Sequence, residues 1–425
     1  MFRVIVNKKN LTFSSQPPPG TRDFLIAETD NIDRVADTLL DEFSRWGYGK
    51  VITPSIDFLD VFLLSSKARE LFKVADISTG EMLSLRSDFT PQIARLSSAL
   101  KNSVALPYKF SYCGPVLRNL DPVLGRPREI WQAGVESVGP ESPESDAELI
   151  IMGIESLKRL GVEDFSVDIG NVEFFKGIVS DIDRAVREKI EEFILRKDSS
   201  GLNVFLDGVS IPQKKKEVIS ELPFIFGEKS VIKKAWKMAS DEKSQEALET
   251  LERILSYIKY YKLEEYITID LGEIRGLNYY TGTIFECFAP HVGYEIFGGG
   301  RYNNLIGRFG ENCAGAGFAV NLDTLCRYGD FSQSGFKKRD FLVFNKTADK
   351  KPEVEIILFL RKKGYAVETN FMNYGYLETV KYMKENRIKK IINITEDHIL
   401  FGDINTGKEI KFKNISELKK FTENI

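Results

Sequence analysis

Apolar residues recur at helical spacing at Ile32, Val35, Ala36, Leu39, Leu40 and Phe43, which predicts an amphipathic helix over residues 32–46. Gly47-Tyr48-Gly49 ends it, and Val51-Ile52-Thr53 reads as a strand stopped by Pro54. Helical periodicity returns over residues 145–160, followed by a strand at 165–169. From about residue 172 to 262 the texture changes to charged, helix-period segments, clearest over 247–261, which predicts a helical insertion. Strand signals resume at 267–271 and 282–288. A linker around 329–338 then precedes a shorter alternation: strands at 341–344, 365–368 and 391–394, and helices at 354–363 and 376–385. That order predicts an α/β end domain. The expected division is therefore 1–328, with the insertion inside it, and 339–425.

Composition narrows the class. A chain of 425 residues suits two or three domains, and 43% hydrophobic residues suffice for a large core. No apolar run reaches the eighteen residues a membrane span needs. Residues 1–11 lack a long apolar segment and a small-residue cleavage site, so they read as a short strand or frayed tail rather than a signal peptide. Cys113, Cys287, Cys313 and Cys326 lack CxxC spacing and only two histidines are present, so no metal site and no cofactor is expected. Reduced thiols in a cytoplasmic protein are the expectation. Residues 336–425 carry 19 Lys and Arg against 13 Asp and Glu, a surplus of +6 that leaves −9 for the rest. Such a surplus suits an RNA contact or a solvated surface equally, and we expect the latter.

Four runs carry candidate chemistry. In Leu85-Arg86-Ser87-Asp88-Phe89-Thr90-Pro91-Gln92, proline suits the first turn of a helix with Thr90 as N-cap, leaving Asp88 near the exposed N–H groups. An acid in that place usually serves only the helix dipole, and a ligand role is the lesser alternative on these residues alone. Residues 114–118 and 125–136 read as antiparallel strands joined by a charged loop. Strand alternation then puts Gln132, Gly134 and Glu136 on one face. There Glu136 suits an ammonium and Arg118 a carboxylate or phosphate, although on these residues alone an exposed polar sheet face with a surface salt bridge is the expected reading. In Arg275-Gly276-Leu277-Asn278-Tyr279-Tyr280, adjacent tyrosines opening a strand should point one inward and one outward. Gly298-Gly299-Gly300-Arg301-Tyr302-Asn303 permits close backbone approach, but matches neither a phosphate-binding loop nor a dinucleotide fingerprint.

In order and spacing these runs resemble the histidyl-tRNA synthetase family, whose class II catalytic domain is an α+β fold with an antiparallel sheet flanked by helices. Residues 46–57 resemble the first class II motif, which implies a homodimer. Residues 118–132 resemble the second motif, 275–286 the histidine signature, 298–303 its glycine-rich strand, and 317–325 the third motif. The end domain is similar to the family's α/β anticodon-binding domain. The resemblance implies a histidine pocket formed by Asp88, Thr90, Arg118, Gln132, Glu136, Arg275, Tyr279 and Tyr280.

The nucleotide side of the pattern departs from the family. Leu120 stands where an adenine-reading glutamate is expected, Asp121 and Val123 replace loop residues that handle tRNA, and Thr324 occupies the position of a phosphate-clamping arginine. One positioned cation commonly contributes ~10²–10³ in rate, and threonine cannot replace it. The branch of the family that fits is the regulatory subunits of short-form ATP phosphoribosyltransferase. This resemblance implies no catalytic residues of its own, a hetero-oligomer with the catalytic subunit, and feedback inhibition of histidine biosynthesis by L-histidine. The rivals are an active histidyl-tRNA synthetase with divergent motifs and an RNA-binding or amino-acid-transfer paralogue; nucleic acid and membrane are not expected partners.

Overall fold

The computed structural model describes residues 16–101, 103–121, 127–274, 279–329, 331, 339–370, 375–386 and 388–422. They form two compact units, one holding Asn31–Phe331 and one the residues from Arg339 onward. The expectations for residues 1–11, for Val123 and for Arg275 lie outside the described residues.

The first helix runs Ile26–Arg45, and its apolar stripe of Ile32, Val35, Ala36, Leu39 and Phe43 is buried. The larger unit is built on a sheet of nine described strands. Their order is Gly49–Lys50, Tyr108–Leu117, Glu129–Val138, Gly315–Asn321, Phe297–Arg301, Thr283–Phe288, Ser166–Asn171, Ile267–Asp270 and Phe226–Gly227. Six pairings are antiparallel; the first pair and the pair of Ser166–Asn171 with Ile267–Asp270 are parallel. The strand expected at 51–53 is displaced to Gly49–Lys50, with one further ladder-like bond from Val51 N–H to the Ser111 carbonyl at 2.9 Å.

Strand parity divides this sheet into two functional faces. Ala133, Val135, Val167, Ile169, Phe285, Cys287, Phe297 and Phe318 join the main core with the helices Ile26–Arg45, Pro143–Arg159 and Glu242–Tyr260. Alternate residues, among them Gln132, Glu136, Ile284, Glu286 and Gly317, turn the other way and line a cavity.

The helical region comprises Val172–Ile178, Arg184–Leu195, Ser199–Asp207, Gln213–Glu221, Val231–Met238 and Glu242–Tyr260 among the described residues. Its helix starts are written in the sequence: the side chains of Asn171, Asp183, Asp198 and Asp241 accept N–H groups of the first turns. In Glu242–Tyr260, Ala247, Leu248, Leu251, Ile254, Leu255 and Ile258 are buried in the same core as the sheet. Full burial of a side chain of leucine size contributes about 1.5–3 kcal/mol, so this stripe alone ties the region firmly to the sheet.

The second unit contains a five-stranded sheet ordered Val367–Thr369, Phe341–Asn345, Lys390–Ile394, Ile399–Asp403 and Lys408–Phe412. The first two pairings are parallel and the last two antiparallel. The last two strands and the helix Ile415–Thr422 add to the elements expected from periodicity. Among the described residues no helix is long and apolar enough to cross a membrane, and no cluster of His, Cys, Asp and Glu is arranged to hold a metal.

Candidate functional site

The cavity on the open face of the large sheet has a volume of about 220 Å³. Asp88, Thr90, Arg118, Gln132, Glu136, Tyr279 and Tyr280 all line it. Sequence-distant runs thus converge because neighbouring strands place them side by side.

Glu136 is the centre of the arrangement. It is 1% exposed, yet three hydroxyls face its carboxylate. Thr90 Oγ1 donates to Oε1 at 2.6 Å, Tyr112 OH lies 3.4 Å from the same oxygen, and Tyr302 OH donates to Oε2. Burial dominates and pushes the carboxyl from its ordinary 4.5 up to about 8; Asp88 raises it further, while the hydroxyls pull it down. The hydroxyls of Tyr112 and Tyr302 are themselves raised well above their usual range, first by burial and then by the charge of Glu136.

Glycines make room for this cluster. Gly317 faces Glu136 across the ladder, and a Cβ there would overlap Oε2. At Gly299 a Cβ would lie 2.1 Å from the Gly317 carbonyl oxygen, and at Gly300 2.5 Å from that of Thr283 and 3.0 Å from the Tyr280 ring. These two glycines are therefore needed for the expected close approach of backbone, and Gly300 for that of the Tyr280 ring as well.

Two local expectations are corrected. Helix Thr90–Leu100 is preceded by Phe89 in the cap position, and Thr90 is its first residue. The Thr90 hydroxyl goes to Glu136, and Asp88 Oδ1 instead accepts the Thr90 N–H at 3.1 Å. The tyrosines do not alternate in and out. They precede the strand Thr283–Phe288, and both rings border the cavity with centroids 4.9 Å apart in an edge-to-face arrangement.

Behind the cluster lies a stacked platform. The buried Arg86 guanidinium sits 4.0 Å over Phe89, which stacks on Tyr112 at 4.1 Å. Arg86 also donates to the carbonyls of Pro115 and Thr53 at 3.0 and 3.2 Å, fixing the loop before the helix to the strand beside it. Arg118 is the cation lining the cavity among the described residues, and its Nε donates to the Ser87 carbonyl at 3.3 Å. Glu273, Glu286 and Glu295 line the cavity too, so its wall is predominantly acidic.

The sequence reading missed Tyr112, Glu273, Glu286, Glu295, Tyr302 and Asn321 as lining residues. Tyr302 had a signal, since it follows the triglycine run; Tyr112 had only its position opposite Gly134. Thr324 is buried and does not border the cavity; its N–H is capped by Asn321 Oδ1 at 3.0 Å. Asp323 beside it accepts the Trp131 N–H at 2.8 Å. These residues serve as helix cap and packing.

The family model for histidyl-tRNA synthetase matches residues 20–325. An ATP phosphoribosyltransferase regulatory subunit from Geobacter metallireducens is 35% identical over 90% of this chain and 89% of its own length. Another from a Thermoanaerobacter species is 36% identical over 89% of this chain and 99% of its own. A solved ATP phosphoribosyltransferase regulatory subunit/histidyl-tRNA synthetase from Bacillus halodurans superposes with a TM-score of 0.79 at 26% identity, covering 90% of this chain and 98% of that one. A histidyl-tRNA synthetase from a Nostoc species shares the fold, with a TM-score of 0.77 at 22% identity and coverage of 97% and 99%. The chain therefore belongs to the histidyl-tRNA synthetase-like family of ATP phosphoribosyltransferase regulatory subunits.

Proposed function

We propose that the cavity binds L-histidine and that the chain has no catalytic chemistry of its own, activating a short-form ATP phosphoribosyltransferase catalytic subunit and transmitting feedback inhibition to it. The observation that carries this is the carboxylate of Glu136, sequestered at the cavity wall and faced by Thr90, Tyr112 and Tyr302. Such a group accepts N–H donors and discriminates strongly against ligands that lack them, because an unpaired buried acceptor is costly. Arg118 supplies the counter-charge for the α-carboxylate, Gln132 and Asp88 supply further polar contacts, and the tyrosine rings bound the side chain. Arg275 belongs to the same set by resemblance. At about 220 Å³ the cavity falls below the roughly 300–1,000 Å³ of drug-sized ligands, which favours one amino acid over a nucleotide.

Regulation then requires histidine to bind the two states of the hetero-oligomer with different affinity. The histidine-binding part is assigned to residues 1–328, including the helical region, which also self-associates as a homodimer; residues 339–425 form the anticodon-binding-like domain.

Calorimetric titration of the full chain with L-histidine is the first test. Saturable binding that disappears in Glu136→Ala, with the dimer intact, supports the assignment; unchanged affinity in that variant refutes it. Histidine-dependent ATP–pyrophosphate exchange by the purified chain would establish the synthetase alternative instead. Reconstitution with the catalytic subunit should raise phosphoribosyl transfer and make it sensitive to histidine.

A further inference from the structure

Phe174, Phe175 and Ile178 seat the helix Val172–Ile178, the first of the helical region, in the main core. Between them Glu173 and Lys176 are half-buried. The Lys176 amine donates to Glu173 Oε1 at 2.8 Å and, far away in sequence, to the Tyr280 carbonyl at 3.0 Å. Its mounting is rigid. At Gly177 a Cβ would lie 2.3 Å from Oδ1 of Asp241, the N-cap of the helix Glu242–Tyr260, so the two helices meet at close range.

Tyr280 depends on a donor of this kind. It lies ahead of the strand Thr283–Phe288, where the ladder does not serve its carbonyl, and among the described residues the Lys176 amine is the donor it has. The next two residues are held by backbone. Thr281 N–H donates to the Arg301 carbonyl at 2.7 Å, and the Gly282 carbonyl accepts the Val172 N–H at 3.0 Å. Of these three bonds, that of Lys176 alone is made by a side chain, and a charged donor makes it stronger than a neutral one would. The Tyr280 ring, on the same residue, borders the histidine cavity, standing edge-on to Tyr279 and close against Gly300. What fixes the backbone at residue 280 therefore sets where that ring stands.

We infer that Lys176 is a positioning residue for histidine binding, holding the Tyr280 backbone so that its ring meets the ligand. Lys176 does not itself line the cavity, so its effect passes through Tyr280. The helical region thereby gains a part in the site through its first helix. The inference rests on the reading of this cavity as a histidine site.

Lys176→Met keeps the apolar stem and removes the donor, whereas Lys176→Arg keeps a charged donor. Two measurements are made on the full chain and both variants: calorimetric titration with L-histidine, and hydrogen exchange of a peptide covering residues 279–284. In Lys176→Met, histidine affinity should fall ~10-fold and exchange should quicken. Lys176→Arg should restore both, and urea unfolding should be alike in all three proteins. Unchanged affinity in Lys176→Met overturns the inference, as does an equal loss in both variants. A loss of affinity without faster exchange also overturns it, because the lysine would then act without moving Tyr280. If the unaltered chain shows no saturable histidine binding, the functional reading fails by itself. The exchange comparison then decides whether Lys176 holds Tyr280, and equal rates in the three proteins overturn that.

Discussion

Replacing Glu136 by glutamine tests the balance of forces at the site. In the folded chain burial holds this carboxyl near 8, against an ordinary value of 4.5. Between those values the folded protein keeps a proton that the unfolded chain has lost. Folding then takes up a proton, and stability falls as pH rises, by about 1.4 kcal/mol per pH unit. Below the unfolded value the buried acid is neutral in both states and carries no charge penalty. Above the folded value the whole shift is charged against the fold, roughly 5 kcal/mol. Glutamine has nearly the same shape and stays neutral throughout, so the variant should gain on the parent as pH rises. Between about pH 5.5 and about pH 7.5 the gain should approach ~2.7 kcal/mol. Urea unfolding without histidine measures it, followed by tryptophan fluorescence, because Trp46, Trp131 and Trp236 all lie in the larger unit. Using the difference between the two proteins cancels every other titrating group. Parallel pH curves would refute the reasoning and mean that the hydroxyls of Thr90, Tyr112 and Tyr302 fully offset burial.

Other outcomes follow from the same geometry. Histidine binding near neutral pH should release protons, because N–H donors placed on Glu136 lower its pKa; titrations in buffers of different ionisation enthalpy will measure this, and zero release contradicts it. Tyr302→Phe leaves Glu136 Oε2 without its hydroxyl donor, and should cost about 1–3 kcal/mol in urea unfolding at neutral pH. Gly317→Ala drives a methyl into Glu136 Oε2; it should destabilise by about 1–3 kcal/mol and weaken histidine binding in calorimetry. Arg301→Met strands the buried Asp146 and should cost about 3–5 kcal/mol, much of which Asp146→Leu in the same chain should recover.

Where a single element's own pattern decided the outcome, the sequence was readable. The stripe from Ile32 to Phe43 needed only helical periodicity, and the face shared by Gln132, Gly134 and Glu136 needed only strand alternation. The end-domain strands Ile399–Asp403 and Lys408–Phe412 escaped because glycine and charge break up their apolar runs. At the site, Thr90 looked like a cap because caps are local, whereas its acceptor lies 46 residues away on another element. The tyrosine pair looked alternating because its position just outside the strand depends on pairing with a distant partner. Tyr112 gave no local sign at all: its role arises from Gly134 opposite and Phe89 stacked upon it.

The two halves of the site differ in what holds them. Glu136 is fixed from behind by Val135, whose side chain belongs to the main core, so the hydroxyl-faced carboxylate is anchored by the same packing that stabilises the sheet. The positions where the family pattern expects nucleotide chemistry are anchored differently. Asp323 is occupied with the Trp131 N–H, and Thr324, 5% exposed, is enclosed away from the cavity. The hydroxyl-faced carboxylate of Glu136, by contrast, rests on contacts to Thr90, Tyr112 and Tyr302 in which none of Leu120, Asp121 or Thr324 takes part.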